Sequence, residues 1–216
     1  GSPHRVSPTR LAVLDLDGTL LDTLDDLAAS VNAALAAVGR PPRPRHEIER
    51  FVGEGARNLL ERAVAPRHDL AEAALAAWWR HYDVHCLDRT RPFPGLPDLL
   101  TRSGRRLAVH TNKPGRVARR ILAGLGLLDR FAVVTGGDEG PRKPDPAGTL
   151  AIMRRLGARP EDTVFVGDSP TDVRTARRAG VTMVAVTWGF RPRAELRAAG
   201  AVHLVDTVAG LRPWLE

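Results

Sequence analysis

Cysteine is nearly absent from this sequence, and long apolar stretches are absent altogether. The single cysteine, Cys86, excludes an internal disulfide framework and fits a reducing compartment, so we expect a cytoplasmic protein. No apolar run approaches the roughly 20 residues that a membrane-spanning helix needs, so we expect no membrane partner. With 216 residues, 43% of them hydrophobic and 26% charged, the chain can form one sizeable domain or a core domain with a smaller insert.

Lysine is scarce too. Lys113 and Lys143 are the only lysines, although the net charge is +7. A cationic surface can indicate a nucleic-acid-binding protein, because it releases counterions from phosphates. Here the arginines are scattered in pairs such as Arg119-Arg120 and Arg177-Arg178, without the interleaved aromatic residues on which bases stack. We therefore expect no nucleic-acid partner, and we keep a basic anion- or nucleic-acid-binding module as the non-enzymatic alternative.

The order of predicted elements divides the chain into two parts. The apolar run Leu11–Leu14 predicts a buried strand, and the apolar spacing from Leu24 to Val38 predicts a helix that ends at Gly39. More helices are predicted at about 45–51, 55–64 and 69–86, and from Pro94 onward helices alternate with strands at about 106–110, 131–134, 163–166, 182–186 and 202–205. This alternation predicts an α/β fold, a parallel sheet flanked by helices, with an all-helical block inserted after the first strand. We expect a core domain of residues 8–21 and 91–216 and a helical domain of residues 22–90.

Acidic side chains follow the first predicted strand, at the sheet edge where open α/β sheets bind ligands. Asp15 and Asp17 point the same way, because side chains alternate along an extended segment. Two neighbouring carboxylates repel each other unless a cation or a shared proton stabilises them. Gly18 can adopt a positive φ and let backbone N–H groups approach an anion.

A second acidic pair follows the strand at about 163–166. Asp168 comes just after this strand, and Asp172 lies four residues later at the start of a helix. Together with Asp15 and Asp17, these side chains would form a hard, oxygen-rich site suited to Mg²⁺. For Asp172 the alternative is a role as a helix N-cap or as a partner of the helix dipole.

Three further residues suit a phosphate group. Thr111 and Asn112 follow a predicted strand and precede a helix, where a hydroxyl and backbone N–H groups can bind a phosphate oxygen. Simple N-capping is the alternative for both residues. Lys143 lies in a loop rich in Gly and Pro, and lysine is a common phosphate anchor.

In this order and at these intervals, the four elements resemble the four motifs of the haloacid dehalogenase (HAD) superfamily over the whole chain. The resemblance implies a Rossmann-like core, Asp15 as nucleophile and Asp17 as general acid and base. It also implies that Thr111 and Lys143 bind phosphate, and that Asp168, with Asp172 as a ligand or its neighbour, binds Mg²⁺. The dehalogenases lack an acidic residue at the position of Asp17, so a phosphotransfer enzyme fits better.

The helical block resembles a C1-type cap, which closes over the site and excludes water. The segments 25–32, 50–60, 111–114 and 142–146 resemble, more narrowly, the phosphoglycolate phosphatase family. This implies that Gly53 and Gly55 form the cap loop that reaches the site. Arg57 would meet a substrate carboxylate, with an exposed helix arginine as the alternative. The family more often has Asn where this chain has Glu54, and an inward-pointing acid there would disfavour a carboxylate substrate.

The resemblance thus implies a Mg²⁺-dependent hydrolase of small phosphorylated metabolites, with 2-phosphoglycolate as the first candidate, acting as a monomer or a homodimer. The alternatives within the superfamily are a sugar-phosphate phosphatase, a pyrophosphatase and a phosphoglucomutase-like enzyme. His81, His85 and Cys86 have the residue types of a metal site, but no fourth ligand is evident, so we predict a partly buried helix face.

Overall fold

A parallel β-sheet forms the centre of the molecule. The computed structural model describes residues 8–216. The strands in this part of the chain are β1 (Leu11–Leu14), β2 (Leu21–Asp22), β3 (Arg91–Pro92), β4 (Arg106–His110), β5 (Val133–Thr135), β6 (Thr163–Gly167), β7 (Thr182–Val186) and β8 (His203–Val205). The central sheet has the order β5-β4-β1-β6-β7-β8, and all its neighbouring strands are parallel. This confirms the predicted α/β fold.

Helices account for most of the remaining structure. Within residues 8–216 they are α1 (Leu24–Ala37), α2 (Arg45–Phe51), α3 (Ala56–Val64), α4 (Ala71–His85), α5 (Leu96–Arg102), α6 (Gly115–Gly124), α7 (Ala147–Leu156), α8 (Pro170–Ala179), α9 (Arg193–Ala198) and α10 (Arg212–Leu215). No helix in this range is both long and apolar enough to span a membrane.

Strand β1 lies between β4 and β6, and it is buried on both faces. Its side chains alternate between two apolar clusters: Ala12 and Leu14 join one, and Leu11 and Val13 join the other. Leu14 pairs with Val109 of β4 and with Val166 of β6. The segments that follow these three strands therefore emerge at the same edge of the sheet.

Helices α1 to α4 form the predicted helical block. Helices α1 and α4 pack against each other, and α3 packs on α4. The chain leaves the core through β2 and returns through β3, and these two short strands pair antiparallel. The buried Asp26 carboxylate accepts hydrogen bonds from the backbone N–H groups of Arg89 and Thr90, at 2.8 to 3.1 Å, and from the Thr90 hydroxyl. Both ends of the block are thus fastened together.

The structure differs from the predicted elements in a few places. The β2–β3 pair and helix α9 were not predicted, and the strand predicted at 131–134 lies at Val133–Thr135. Two-residue strands and a helix of one and a half turns are too short to produce a hydrophobic period. The division into domains at residues 22 and 90 remains a proposal.

Candidate active site

Asp15 is the first residue after β1, at the edge where three parallel strands end. Its backbone N–H donates to the Val166 carbonyl at 2.9 Å, which continues the pairing of β1 with β6 by one residue. Its side-chain Oδ1 accepts a hydrogen bond from the Leu16 N–H at 2.7 Å and lies 3.0 Å from the Lys143 ammonium. The nucleophile candidate is therefore held in a fixed orientation beside a cation.

Asp168 and Asp172 come from the turn between β6 and α8. Asp168 accepts hydrogen bonds from the Thr19 hydroxyl at 3.0 Å and from the Phe190 N–H at 2.9 Å. Asp172 is fully buried, lies 2.7 Å from the Lys143 ammonium and accepts from the Asp168 N–H at 3.1 Å. Ser169, rather than Asp172, is the N-cap of α8. The capping alternative for Asp172 is therefore wrong, whereas its position in the first turn of α8 fits the dipole alternative.

The carboxylates of Asp15, Asp168 and Asp172 converge, with one oxygen of each lying within 4.8 Å of the others. Burial, followed by repulsion from Asp172, raises the pKa of Asp15 well above its ordinary value and that of Asp168 to about 6. Burial alone would lower the pKa of Lys143, but Asp15 and Asp172 more than offset this effect and raise it. The cluster thus combines three acids with a single ammonium.

Gly18 makes this convergence possible. Its φ is +81°, and a Cβ on it would lie 2.2 Å from Oδ2 of Asp168. Any other side chain would therefore displace Asp168 as well as strain the backbone.

Asp17 lies apart from the three-carboxylate group. Its Oδ1 accepts hydrogen bonds from the Thr23 hydroxyl at 2.7 Å and from the Lys113 ammonium at 2.8 Å. The same ammonium donates to the Tyr82 hydroxyl of α4 at 2.6 Å. The Asp17 carboxylate is engaged in this separate arrangement, so its predicted role as a metal ligand receives no support from the geometry of the described residues.

Thr111 and Asn112 follow β4, as predicted, but their side chains have different surroundings. The Thr111 hydroxyl accepts a hydrogen bond from the Lys113 N–H at 3.1 Å, and since the N-cap of α6 is Pro114, neither predicted residue caps this helix. The Asn112 amide donates to the carbonyls of Gly53 and Lys143 and accepts from the Lys143 N–H at 2.9 Å. Asn112 therefore joins two loops of the core to the cap loop.

A cavity lies between this sheet edge and the helical block. The core contributes Asp15, Asp17, Thr111, Asn112, Lys113, Pro114, Asp168, Ser169, Phe190 and Arg191, and the helical block contributes Leu27, Val52, Gly53, Gly55, Ala56, Leu59 and Trp78. Gly53 and Gly55 thus reach the site, as expected from the resemblance. Gly18, Lys143 and Asp172 are not part of the lining, and Lys143 is only 5% exposed. Its ammonium faces the carboxylates of Asp15 and Asp172.

Arg57 does not reach this cavity. Its guanidinium pairs with Glu72 on the surface of the helical block, so the alternative of an exposed helix arginine describes it better. Glu54 also points away from the cavity, since it pairs with Arg62 at 2.5 Å. Glu54, whose departure from the family pattern would disfavour a carboxylate substrate if its side chain pointed inward, therefore does not meet that condition.

The lining residues that were not predicted from the sequence include Lys113, Trp78 and Arg191. Lys113 could have been found, because it is one of two lysines and adjoins the predicted phosphate-binding residues. Trp78 lies on a helix whose inward face is apolar throughout, and Arg191 is one of many scattered arginines. Neither carries a local signal.

His81, His85 and Cys86 do not form a metal site among residues 8–216. His81 shares a hydrogen bond of 2.7 Å with the Ser30 hydroxyl, His85 shares one of 2.6 Å with Asp88, and Cys86 is buried. The prediction of a partly buried helix face is confirmed.

Comparison with known proteins agrees with this architecture. The model of the haloacid dehalogenase-like hydrolase family matches residues 9–180. Phosphoglycolate phosphatase 1 of Pseudomonas aeruginosa is 40% identical over 94% of this chain and 79% of its own length. Phosphoglycolate phosphatase of Rhodospirillum rubrum is also 40% identical, over 95% of this chain and 90% of its own length.

Solved structures give the same result. The crystal structure of a predicted phosphoglycolate phosphatase from Haemophilus somnus superposes with a TM-score of 0.89 and 29% identity, covering 95% of this chain and 97% of the other. The family match, the relatives and the acidic site at the sheet edge agree. This chain is a phosphatase of the haloacid dehalogenase-like hydrolase family.

Proposed function

We propose that this phosphatase hydrolyses 2-phosphoglycolate with Mg²⁺ as cofactor and an aspartyl-phosphate on Asp15 as intermediate. The observation that carries the proposal is the convergence of the Asp15, Asp168 and Asp172 carboxylates beside a cavity that the helical block covers. In this proposal residues 22–90 act as the cap, and residues 8–21 with 91–216 act as the catalytic core.

Asp15 forms the covalent bond in the first step. One of its carboxylate oxygens attacks the phosphorus, and the bond between phosphorus and the substrate oxygen breaks. The hydrogen bond from the Leu16 N–H and the Lys143 ammonium hold the carboxylate in place. Lys143 also offsets part of the negative charge that gathers around the transferring group. The Thr111 hydroxyl, the backbone N–H of Asn112 and the backbone near Gly18 are the proposed contacts of the phosphate, since the Asn112 side chain is already engaged by Gly53 and Lys143.

Asp17 moves the protons. In the first step it protonates the leaving substrate oxygen, and in the second it takes a proton from the water that attacks the aspartyl-phosphate. The bond between Asp15 and phosphorus then breaks, and inorganic phosphate leaves with Asp17 protonated again. Asp17 lines the cavity, as this role requires.

The donor set fits a hard divalent cation. Asp15, Asp168 and Asp172 supply buried carboxylate oxygens, and Lys143 alone does not balance their charge. Burial, followed by repulsion from Asp172, raises the pKa values of Asp15 and Asp168, and a bound cation would counter both effects. When bound, Mg²⁺ would neutralise charge on the carboxylates and on the phosphoryl oxygens.

The choice of substrate rests on the relatives and on the cap. Two phosphoglycolate phosphatases are 40% identical to this chain over nearly its whole length. On the cap side, Gly53, Gly55 and Ala56 line the cavity where α3 begins, and no side chain caps this helix end. Free backbone N–H groups at a helix start favour an anion, which suits a substrate with a carboxylate beyond its phosphate.

The direct test is phosphate release with Mg²⁺ from 2-phosphoglycolate, sugar phosphates, nucleotides, pyrophosphate and ethyl phosphate. We expect the highest kcat/KM for 2-phosphoglycolate. A higher kcat/KM for a sugar phosphate or for pyrophosphate would be consistent with a phosphatase but would contradict the proposed substrate.

The nucleophile is tested by Asp15→Asn, with Asp98→Asn, an exposed residue of α5, as the matched control. We expect Asp15→Asn to lower kcat on the order of 10⁴-fold and to abolish a phosphorylated enzyme in mass spectra. The control should behave as the wild type. A phosphoryl group found on another residue would contradict the proposed intermediate.

A further inference from the structure

Lys113 occupies a position that the proposed mechanism does not yet use. Its side chain is buried, and its ammonium lies 2.8 Å from Asp17 Oδ1 and 2.6 Å from the Tyr82 hydroxyl. Burial would lower its pKa, but Asp17 and Tyr82 more than offset this effect and raise it, so the side chain stays charged. A buried ammonium is costly unless its partners are fixed, which makes this a specific arrangement.

The hydrogen bonds to Asp17 are unequal between its two oxygens. Oδ1 accepts from both the Thr23 hydroxyl and the Lys113 ammonium, whereas Oδ2 has no hydrogen-bond partner among residues 8–216. Two donors on Oδ1 prevent rotation of the carboxylate, and they disfavour a proton on that oxygen. Oδ2 is therefore the oxygen that these two donors leave unoccupied.

Tyr82 links this arrangement to the helical block. It belongs to α4, is fully buried and stacks on Trp78, which lines the cavity. Since Lys113 follows β4 in the core, its ammonium bridges the two parts of the protein at Asp17. The block thus contributes to the position of an acid that lies outside it.

We propose that Lys113, held by Tyr82, is a positioning residue that orients Asp17 so that Oδ2 delivers the proton to the leaving oxygen. The inference rests on the proposed role of Asp17 as general acid. An alternative role for Lys113 is direct phosphate binding, because one of its three N–H bonds is left after Asp17 and Tyr82 are satisfied. The two roles differ in how the rate depends on the leaving group.

The experiment compares kcat/KM for ethyl phosphate, whose leaving oxygen needs a proton, with that for 4-nitrophenyl phosphate, whose leaving oxygen does not. The variants are Lys113→Met, Tyr82→Phe and the reference Asp17→Asn. We expect Lys113→Met to lower kcat/KM about 100-fold for ethyl phosphate and less than about 10-fold for the aryl ester, as Asp17→Asn does. Tyr82→Phe should have a smaller effect in the same direction.

Arg116→Met is the matched control, since Arg116 is an exposed cation three residues further along, and its kinetics should be unchanged. The inference would be overturned if Lys113→Met lowered kcat/KM equally for both esters while Asp17→Asn lowered it unequally. The proposed role of Asp17 as general acid would not be affected by that result. An equal loss in Asp17→Asn itself would instead overturn the proposed acid. If Lys113→Met does not fold, Tyr82→Phe decides: an unequal loss supports the inference, and an equal loss or none rejects it.

Discussion

Lys143 is the single residue on which most of the site's charge balance depends. Its ammonium contacts Asp15 at 3.0 Å and Asp172 at 2.7 Å, and its side chain is almost completely buried. Removing one partner from a buried ionic group is far more costly than removing all of them, because the remaining charges are left without compensation. If the Lys143 ammonium is removed, the loss of stability should therefore come mainly from the Asp15 and Asp172 carboxylates, which stay buried without a counter-charge.

This predicts a double-mutant result. Lys143→Met should lower the free energy of unfolding by about 3–5 kcal/mol and abolish activity. In Lys143→Met/Asp172→Asn, part of this stability should return, because one uncompensated carboxylate is gone, while activity stays absent. Urea unfolding of the two variants and the wild type, without Mg²⁺, measures both effects. Equal stability of the single and double variants would contradict this account.

A residue of the site could be predicted when the sequence immediately around it indicates where it lies in the fold. Asp15, Asp168 and Asp172 lie beside buried strands whose apolar runs are visible in the sequence, so their convergence followed from the parallel sheet. Arg57 could not be assigned, because pairing with Glu72, fifteen residues away, depends on how α3 packs against α4. The two donors on Asp17 come from positions 6 and 96 residues away, and only the folded chain brings them together.

At the scale of elements, helix α2 depends on a residue from the core. The Arg191 guanidinium, in the loop after β7, donates to the carbonyls of Glu49 at 2.9 Å, Arg50 at 3.1 Å and Val52 at 2.5 Å. These carbonyls lie at the C-terminal end of α2, where a helix has few of its own N–H groups left to satisfy them, and that of Glu49 also accepts from the Val52 N–H at 3.4 Å. Arg191 thus stabilises this helix end and ties the start of the cap loop to the core.

Arg191→Met should therefore loosen the cap. We expect a loss of about 1–3 kcal/mol in the free energy of unfolding, because backbone carbonyls lose their donors, together with a raised KM. Arg193→Met is the control, because Arg193 pairs with Asp206 at the surface and should cost less than about 0.5 kcal/mol. Thermal unfolding and kinetics of both variants provide the measurement. Similar values for the two variants would exclude a special role for Arg191.

The fold as a whole followed from the alternation of strand and helix after Pro94, since apolar runs and helical periods there are each several residues long. The β2–β3 pair was not predictable, because two residues of strand carry no pattern and the paired residues lie 69 and 71 positions apart in the chain. The helices of the block were predicted from the helical spacing of their apolar residues. Their placement over the sheet edge depends instead on contacts such as those of Asp26 and Arg191.

At the scale of the whole molecule, stability should depend on both pH and the metal. The pKa of Asp168 is about 6 in the folded protein, above that of an unfolded carboxyl, so the folded state keeps a proton that the unfolded state has lost. Its contribution to stability therefore decreases as pH rises from about 4 to about 6. Burial lowers the pKa of His110 to about 3, which acts the other way, since stability is lost as pH falls from about 6.5 towards 3.

The effect of Mg²⁺ on thermal stability distinguishes the contribution of Asp168 from that of His110, because His110 is not among the proposed metal ligands. We expect Mg²⁺ to raise Tm little at pH 5, where protons compete for Asp168, and more at pH 7.5. At a Mg²⁺ concentration ten times the dissociation constant, the gain is about 1.4 kcal/mol. Asp168→Asn should lose most of the response. A Mg²⁺ shift of the same size at both pH values would contradict the raised pKa.

The scarcity of lysine has a practical consequence for amine chemistry. Both lysine side chains are buried and held as ammonium ions by carboxylates, so an acylating reagent finds no reactive lysine on the folded surface. Each lysine is also followed by proline, a bond that lysine-directed proteases cut poorly. Acylation of either lysine therefore requires the site to open, and it removes a positive charge that contacts carboxylates of the site. Covalent labelling of lysine in this protein would therefore report opening of the site.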